Sequence, residues 1–355
     1  MRRITLLTLA LVSVALMGAS CSVGGSPKPQ AVNDAVTGGI WVTADQGVTW
    51  KQRGLISTTA PQKLNILNLD ASVLVADPSD SQALYLGTFG DGVFYSYDGG
   101  AGWQVMLGLG RKGIIDLAVD PKDKCNLYAS TPGKIYKSVD CGRTWQEAYS
   151  DNDRNQLIYS IVVDHFNPDI LYMANTRGDV IKSLDAGKTW RTLVNFKTDI
   201  KKLVMDPKNS RVLFAVTANK GIEKSLDGGA SWQDLEPRLK ELKADRGFRD
   251  FTASPSQPGL YFLAVDYGLL KTANYGDDWS ELKLIVPEKK SFIKAVAVNP
   301  TDAKKIYYVT ETTFYGTTDG GDHWSSLKLP TPRQGAQLIV SAAKGNPIYL
   351  GVKTK

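Results

Sequence analysis

Downstream of residue 38 the chain alternates short apolar runs with polar turns, and the runs come in pairs. Val73 to Ala76 ends at Asp77-Pro78 and is followed by Leu84-Tyr85-Leu86. Ile114 to Val119 ends at Asp120-Pro121 before Leu127-Tyr128, and Leu203 to Met205 ends at Asp206-Pro207 before Val212-Leu213-Phe214. Ile161 to Asp164 precedes Ile170 to Tyr172, Phe251 to Pro255 precedes Leu260-Tyr261, and Ala295 to Pro300 precedes Ile306 to Tyr308. Runs this short, rich in β-branched and aromatic residues, suit strands better than helices. Each pair predicts two strands, A and B, joined by a tight turn.

A second signature, S/T-x-D-x-G-x-x-W, occurs seven times, once with Asn for Asp. Its acidic position is Asp45, Asp98, Asp140, Asp185, Asp227, Asn274 and Asp319, at intervals of 53, 42, 45, 42, 47 and 45 residues. Its last position is Trp50, Trp103, Trp145, Trp190, Trp232, Trp279 and Trp324, which leaves only Trp41 of the eight Trp outside the pattern. A regular repeat of this length is an architecture, and it outranks local propensity. The expected local structure is a hairpin turn between strands C and D. The Asp accepts bonds from turn N–H groups, the Gly supplies a positive φ, and the Trp buries its ring between sheets with a partner for its N–H.

Four strands per unit of about 45 residues define one propeller blade. The first box has strands C and D, Gly39 to Trp41 and Trp50 to Arg53, with no A or B before them. The C-terminal stretch has Gln337 to Ser341 and Ile348 to Val352, an A and a B with no box after them. The two ends therefore complete one blade. The predicted fold is all-β, a seven-bladed β-propeller of four-stranded antiparallel blades over residues 38–355, closed by pairing of the N- and C-terminal strands.

The box residues resemble the Asp-box, or BNR repeat, of sialidases, sortilin-type receptors and xyloglucanases. The resemblance spans nearly all of residues 38–355. It implies a propeller, and it implies that the box is a structural turn and not a catalytic one.

The N-terminus carries a different signal. Arg2 and Arg3 precede a mostly apolar run from Ile4 to Met17, too short to span a membrane and suited to a signal peptide over residues 1–20. Gly18-Ala19-Ser20-Cys21 resembles a bacterial lipobox, with Gly18 where Leu or Val is usual. That implies lipidation of Cys21; ordinary cleavage nearby is the alternative. Residues 21–37 read as a flexible tether. The expected location is the cell envelope, as a lipid-anchored protein facing the periplasm or exterior.

Composition narrows the chemistry. Two His and three Cys cannot fill a Cys₂His₂ or Cys₄ zinc site unaided, and a Ser-His-Asp enzyme would need His165 or His323. No catalytic residue, metal site or cofactor is expected. Loss of Arg2 and Arg3 takes the formal charge from +6 to +4, too mild to imply a nucleic-acid partner. Cys125 falls in an A–B turn and Cys141 in a box turn, at the same end of one blade. A disulfide between them fits export; two separate thiols are the alternative.

If A–B and C–D turns share one face, B–C and D–A connections share the other, and these loops are biased to cations. Candidate partner-binding residues are Arg111, Lys112, Lys134, Arg154, Arg177, Lys220 and Arg333, with acids interspersed; ordinary solvated loop charge is the plain alternative. A D–A insertion between Gln233 and Arg249 predicts a short helix after Pro237 with Leu239 and Leu242 on one side, either a partner contact or a lid on the channel mouth. A lipidated seven-bladed propeller with a cation-biased loop face resembles the photosystem II assembly/stability factor family, which implies a binding or assembly scaffold for protein partners in a membrane complex. The competing expectation is a glycoside hydrolase or glycan-binding propeller. Sialidases use an arginine triad, a Tyr nucleophile and six blades, which this sequence does not match. Xyloglucanases place their cleft between two seven-bladed domains. Asp179 and Asp266 on B–C loops are the carboxylates that could serve hydrolysis. Phe89, Tyr267 and Tyr315 are the aromatics that could stack on a sugar.

Overall fold

The computed structural model describes residues 37–56, 65–153, 155–245, 247–266, 268–285 and 292–354. The expected signal segment, Cys21 and the tether up to residue 36 lie outside the described residues.

Strand B explains the apolar runs. Leu84–Thr88, Leu127–Thr131, Leu171–Asn175 and Tyr261–Val265 are buried at every position. Such a strand has a hydrogen-bonded neighbour on each side and a packed sheet on each face, so it reads as continuous apolar sequence instead of alternating. The D strands are the opposite: Gln104–Val105, Gln233–Asp234 and Ser280–Glu281 are short and exposed.

These strands make seven four-stranded antiparallel sheets. Blades 1 to 6 begin at Ala71, Asp116, Ile158, Ile200, Phe248 and Ala295. Blade 7 takes strands A and B from Gln334–Val340 and Ile348–Lys353, and strands C and D from Ile40–Thr43 and Lys51–Arg53. Its seam is antiparallel, with Ile40 opposite Gly351 and Val42 opposite Tyr349. The fold is therefore the expected seven-bladed propeller, and closure by the terminal strands removes an open sheet edge.

The core lies between blades. One apolar cluster joins Tyr128 and Ile135 of blade 2 to Ile158, Ile161, Leu171 and Met173 of blade 3, with Trp190 packed against it. Another joins Phe214 and Ile222 of blade 4 to Phe251, Tyr261 and Leu263 of blade 5. Each blade is a thin sheet that cannot bury its own faces, so the ring is held by these seams at about 25 cal/mol per Å² of apolar surface removed from water.

The two ends of the ring are built differently. At one end the A–B turns of blades 1 to 6 dock on their own box turns: among them, Gly99 N–H donates to Gln82 O, Ala186 N–H to Asp169 O, Gly228 N–H to Arg211 O and Gly320 N–H to Lys304 O. Cys141 N–H likewise donates to Cys125 O, and a disulfide joins the same two residues. The Asp before each turn proline has a role too. Asp77 Oδ1 accepts from the Ser79 and Asp80 N–H groups, and Asp206 Oδ1 from those of Lys208 and Asn209. At the other end B–C turns bond to D–A connections, as from Gly92 N–H to Lys112 O and Gly221 N–H to Asp245 O.

The box itself is a closed hydrogen-bond unit. In blade 3 the Ser183 hydroxyl donates to Asp185 Oδ1 (2.8 Å) and accepts from Gly187 N–H (2.9 Å). Asp185 Oδ1 accepts from Thr189 N–H (2.8 Å), and Oδ2 accepts from the Thr189 hydroxyl (2.6 Å). The first-position hydroxyl makes both contacts in every box, from Thr43 to Thr317. Asn274 keeps the geometry through its amide oxygen, which accepts from Asp278 N–H at 2.9 Å.

Two details differ from expectation. The residue before the box Gly also lies in the left-handed region, at φ 58° for Gln46, 59° for Cys141, 56° for Ala186 and 59° for Tyr275. Two successive left-handed residues turn the chain sharply enough for one hydroxyl to serve both sides. The Trp N–H groups also divide. Those of Trp145, Trp190 and Trp232 donate to the carbonyl of their box Gly at 3.1 Å. Those of Trp50, Trp103, Trp279 and Trp324 are buried with no hydrogen-bond partner among the described residues. Ring burial, not the N–H bond, is the shared requirement of the position.

Candidate functional site

The innermost strands surround a central channel with a cavity of about 460 Å³, lined by residues from all seven blades. Strand A enters from the loop end, so its first residues line that mouth. They include four cations from three consecutive blades: Lys201 and Lys202, Arg249, and Lys294. Asp116 of blade 2 and Asp250 of blade 5 are the carboxylates of the wall. The wall formed by blades 7 and 1 is neutral, with Gln337, Ser72 and Val73.

These side chains also tie blades together. Asp116 Oδ2 accepts from Ile161 N–H of blade 3 (2.8 Å), and Asp250 Oδ2 from Val296 N–H of blade 6 (2.8 Å). Lys202 pairs with Asp250 at 2.6 Å. Burial within the ring pushes the Asp116 carboxyl up to about 7, against the pull of its backbone N–H bonds and of Lys202. The other cations point to acids: Lys201 to Asp199 (3.1 Å), Arg249 to Asp266 (2.6 Å) and Lys294 to Glu311 (3.4 Å). The mouth thus carries an arc of paired charges on blades 4 to 6.

The loop-face cations chosen from sequence are spread around the ring. Arg111 pairs with Asp91, Lys134 with Glu147, Arg177 with Asp151 (2.5 Å) and Asp179 (3.4 Å), and Arg333 with Asp70 (2.7 Å). Lys112 lies over the Tyr136 ring at 5.6 Å, and Lys220 Nζ donates to Phe196 O at 3.3 Å. Arg154 lies outside the described residues. No two of these six described cations are brought into one cluster by a shared partner. The most exposed of these pairs, Arg111–Asp91, stabilises by at most about 1 kcal/mol, whereas Arg333–Asp70 and Arg177–Asp151 are partly buried.

The other sequence candidates are also placed. Asp179 accepts from Asn195 (2.6 Å) and Asn175 (3.1 Å), and Asp266 is paired with Arg249. Both candidate acids are committed to local partners. Tyr315 is buried and stacked on Tyr308 at 4.5 Å, so it is no sugar platform; its strand position on Thr313–Thr317 explains the burial. Tyr267 lies outside the described residues, and Phe89 is exposed. The predicted helix, α1, spans Glu236–Glu241. It is not a lid: Leu239 is fully buried in the seam of blades 4 and 5, and no α1 residue lines the channel. Among the described residues no group of three or more His, Cys, Asp or Glu is placed to hold a metal.

Sequence reasoning missed the channel residues. The signal was there, as polar pairs at the start of otherwise apolar runs, such as Lys201-Lys202 before Leu203 and Arg249-Asp250 before Phe251.

Comparison with known proteins agrees with this picture. The Sortilin-Vps10 family model (sortilin, neurotensin receptor 3) matches residues 133–254, which run from blade 2 into blade 5. No curated protein sequence matches the chain. Among solved structures, a GH74 xyloglucanase from Xanthomonas campestris superposes with a TM-score of 0.65 at 18% identity, over 80% of this chain and 51% of the enzyme. YCF48 bound to a D1 peptide gives 0.60 at 14% identity, over 85% of this chain and 96% of YCF48. YCF48 from Cyanidioschyzon merolae gives 0.59 at 12%, over 80% and 95%. The chain spans about half the length of the xyloglucanase. At these identities the likeness is one of fold.

Proposed function

We propose that this chain is an exported, membrane-tethered propeller that binds a segment of a protein partner at its loop face, as a scaffold for a membrane complex. The strongest support is the likeness to YCF48, a propeller matched over 96% of its length and solved with a bound peptide. The channel mouth adds chemical support. Lys201, Lys202, Arg249 and Lys294 offer an arc of donors to acidic or carboxylate-ended peptide, in pairs weak enough to rearrange.

Affinity purification of the full chain from membranes tests this reading. Specific protein partners should co-isolate, and the Arg111, Lys112 and Arg177 triple alanine variant should weaken that recovery. A chain that recovers no protein but cleaves a β-glucan would overturn the scaffold reading in favour of hydrolysis. Tethering has its own check: Cys21→Ser should move the protein from the membrane fraction to the soluble fraction.

A further inference from the structure

Three seams of the ring are plugged by a lysine at a position where the seam between blades 7 and 1 has a valine. In each blade the strand-C residue just before the box faces an aromatic of strand B: Lys137 opposite Tyr128, Lys182 opposite Tyr172, Lys224 opposite Phe214. The first two lysines lie over those rings at 5.4 and 4.8 Å. All three reach the next blade's box: Lys137 Nζ donates to Ala186 O (2.9 Å), Lys182 Nζ to Gly228 O (3.3 Å), and Lys224 pairs with Asp277 (2.7 Å). These seams are filled by the lysine stems.

In blade 7 the same position is Val42, opposite Tyr349. Tyr349 still donates to the next box, at Gly99 O (3.2 Å), as Tyr128 and Tyr172 do at theirs. But the lysine is gone, and a cavity of about 330 Å³ opens between blades 7 and 1. That volume is within the range of small-ligand sites. Its walls include Lys51, Arg53 and Lys344. None of the three forms an ion pair with a described residue, in contrast to most cations of the loop face. Arg53 Nε is buried with no hydrogen-bond partner among the described residues, a state that a bound acceptor would relieve. Among the described residues of the lining, the one carboxylate is Asp98. Its Oδ1 accepts from Ser96 and Gly102, but Gly102 stands where other boxes supply a hydroxyl, as Thr189 does to Asp185 Oδ2.

We propose that this seam pocket, formed by Lys51, Arg53 and Lys344 around the vacant lysine position at Val42, binds a phosphoryl dianion. Three cations against one carboxylate leave a net charge of +2, which a dianion matches. The planar guanidinium of Arg53 suits two oxygens of one phosphoryl group, and the lysines add point charges. The pocket lies at the box end, away from the loop face, so it is independent of partner binding there. It also bridges the seam where the terminal strands close the ring, so an occupant would clamp the closure.

Titration of the full chain with inorganic phosphate and with glucose 6-phosphate, at fixed ionic strength against chloride, tests the site. Saturable binding is expected, with an unfolding temperature that rises with ligand concentration. Binding by phosphate alone assigns a free ion; binding by the ester as well assigns a phosphorylated molecule. Arg53→Gln should weaken binding at least tenfold. Val42→Lys, which installs the plug that three other seams already tolerate, should abolish it while the protein stays folded. Absence of saturable binding by either probe, or unchanged binding in Val42→Lys, overturns the proposal.

Discussion

The same residue type does opposite work at the rim and at the axis of this ring. At the rim, Asp45 is exposed and Asp140 and Asp185 are half-exposed, and hydroxyl donors from Thr49, Thr144 and Thr189 hold their carboxyls down at about 2. At the axis, burial lifts Asp116 to about 7. The rim acids have more donors than they need and face water, so they are permanent anions of a turn. Among the described residues Asp116 accepts only backbone N–H bonds and is partly desolvated in the ring wall, so it sits near the protonation boundary at neutral pH. Saturated bonding marks a residue that builds the fold; an incompletely compensated charge marks one that the fold holds in reserve.

The largest expected effect tests the rim. Trp103 is fully buried between blades, so Trp103→Ala should cost about 3–5 kcal/mol in urea unfolding. A loss below about 1 kcal/mol would mean that the box Trp is not a seam anchor. Ser183→Ala comes next. It strands the Gly187 N–H and one donor to Asp185, and should cost about 1–3 kcal/mol. Asp185→Asn should cost less than Ser183→Ala, because Asn274 shows that an amide completes the turn.

At the axis the sign reverses. Asp116 binds its proton more tightly folded than unfolded, so stability falls as pH rises from about 4 to about 7. Asp116→Asn keeps an acceptor for Ile161 N–H, removes that titration, and should stabilise by about 1–2 kcal/mol at pH 8 after allowance for channel water. The rim acids behave conversely: their stabilisation is complete above about pH 4 and is lost as pH falls towards 2, visible in an acid titration of unfolding. The smallest effect should come from Ala186→Gly, which relieves a left-handed alanine and should stabilise by up to about 1 kcal/mol.

Much of this was legible in the chain. The spacing of Asp45 through Asp319, the paired runs ending at Asp-Pro and the split last blade specify ring, blade number and closure, because each is a local pattern repeated. The box Ser/Thr was visible as a consensus position, yet its double role needs two left-handed residues that only backbone geometry reveals. Loop charges were legible as residues but not as pairs: nothing in the sequence links Arg333 to Asp70, 263 positions away, until the ring closes. The channel cations were hidden within strands that read as core, since the inner end of strand A faces an axis that exists only once all blades assemble. The helix after Pro237 was foreseen, but its buried side was not, because a seam and a lid demand the same two leucines.

By itself, then, the sequence determined what repeats: strand periodicity, turn chemistry and blade count follow from contacts within some 45 residues. The tertiary structure decided what does not repeat. Whether a carboxyl is low like Asp185 or raised like Asp116, and whether a seam is filled by Lys137 or left open beside Val42, depends on neighbours from other blades. Burial and charge pairing are set by packing across the ring, and no local pattern encodes them.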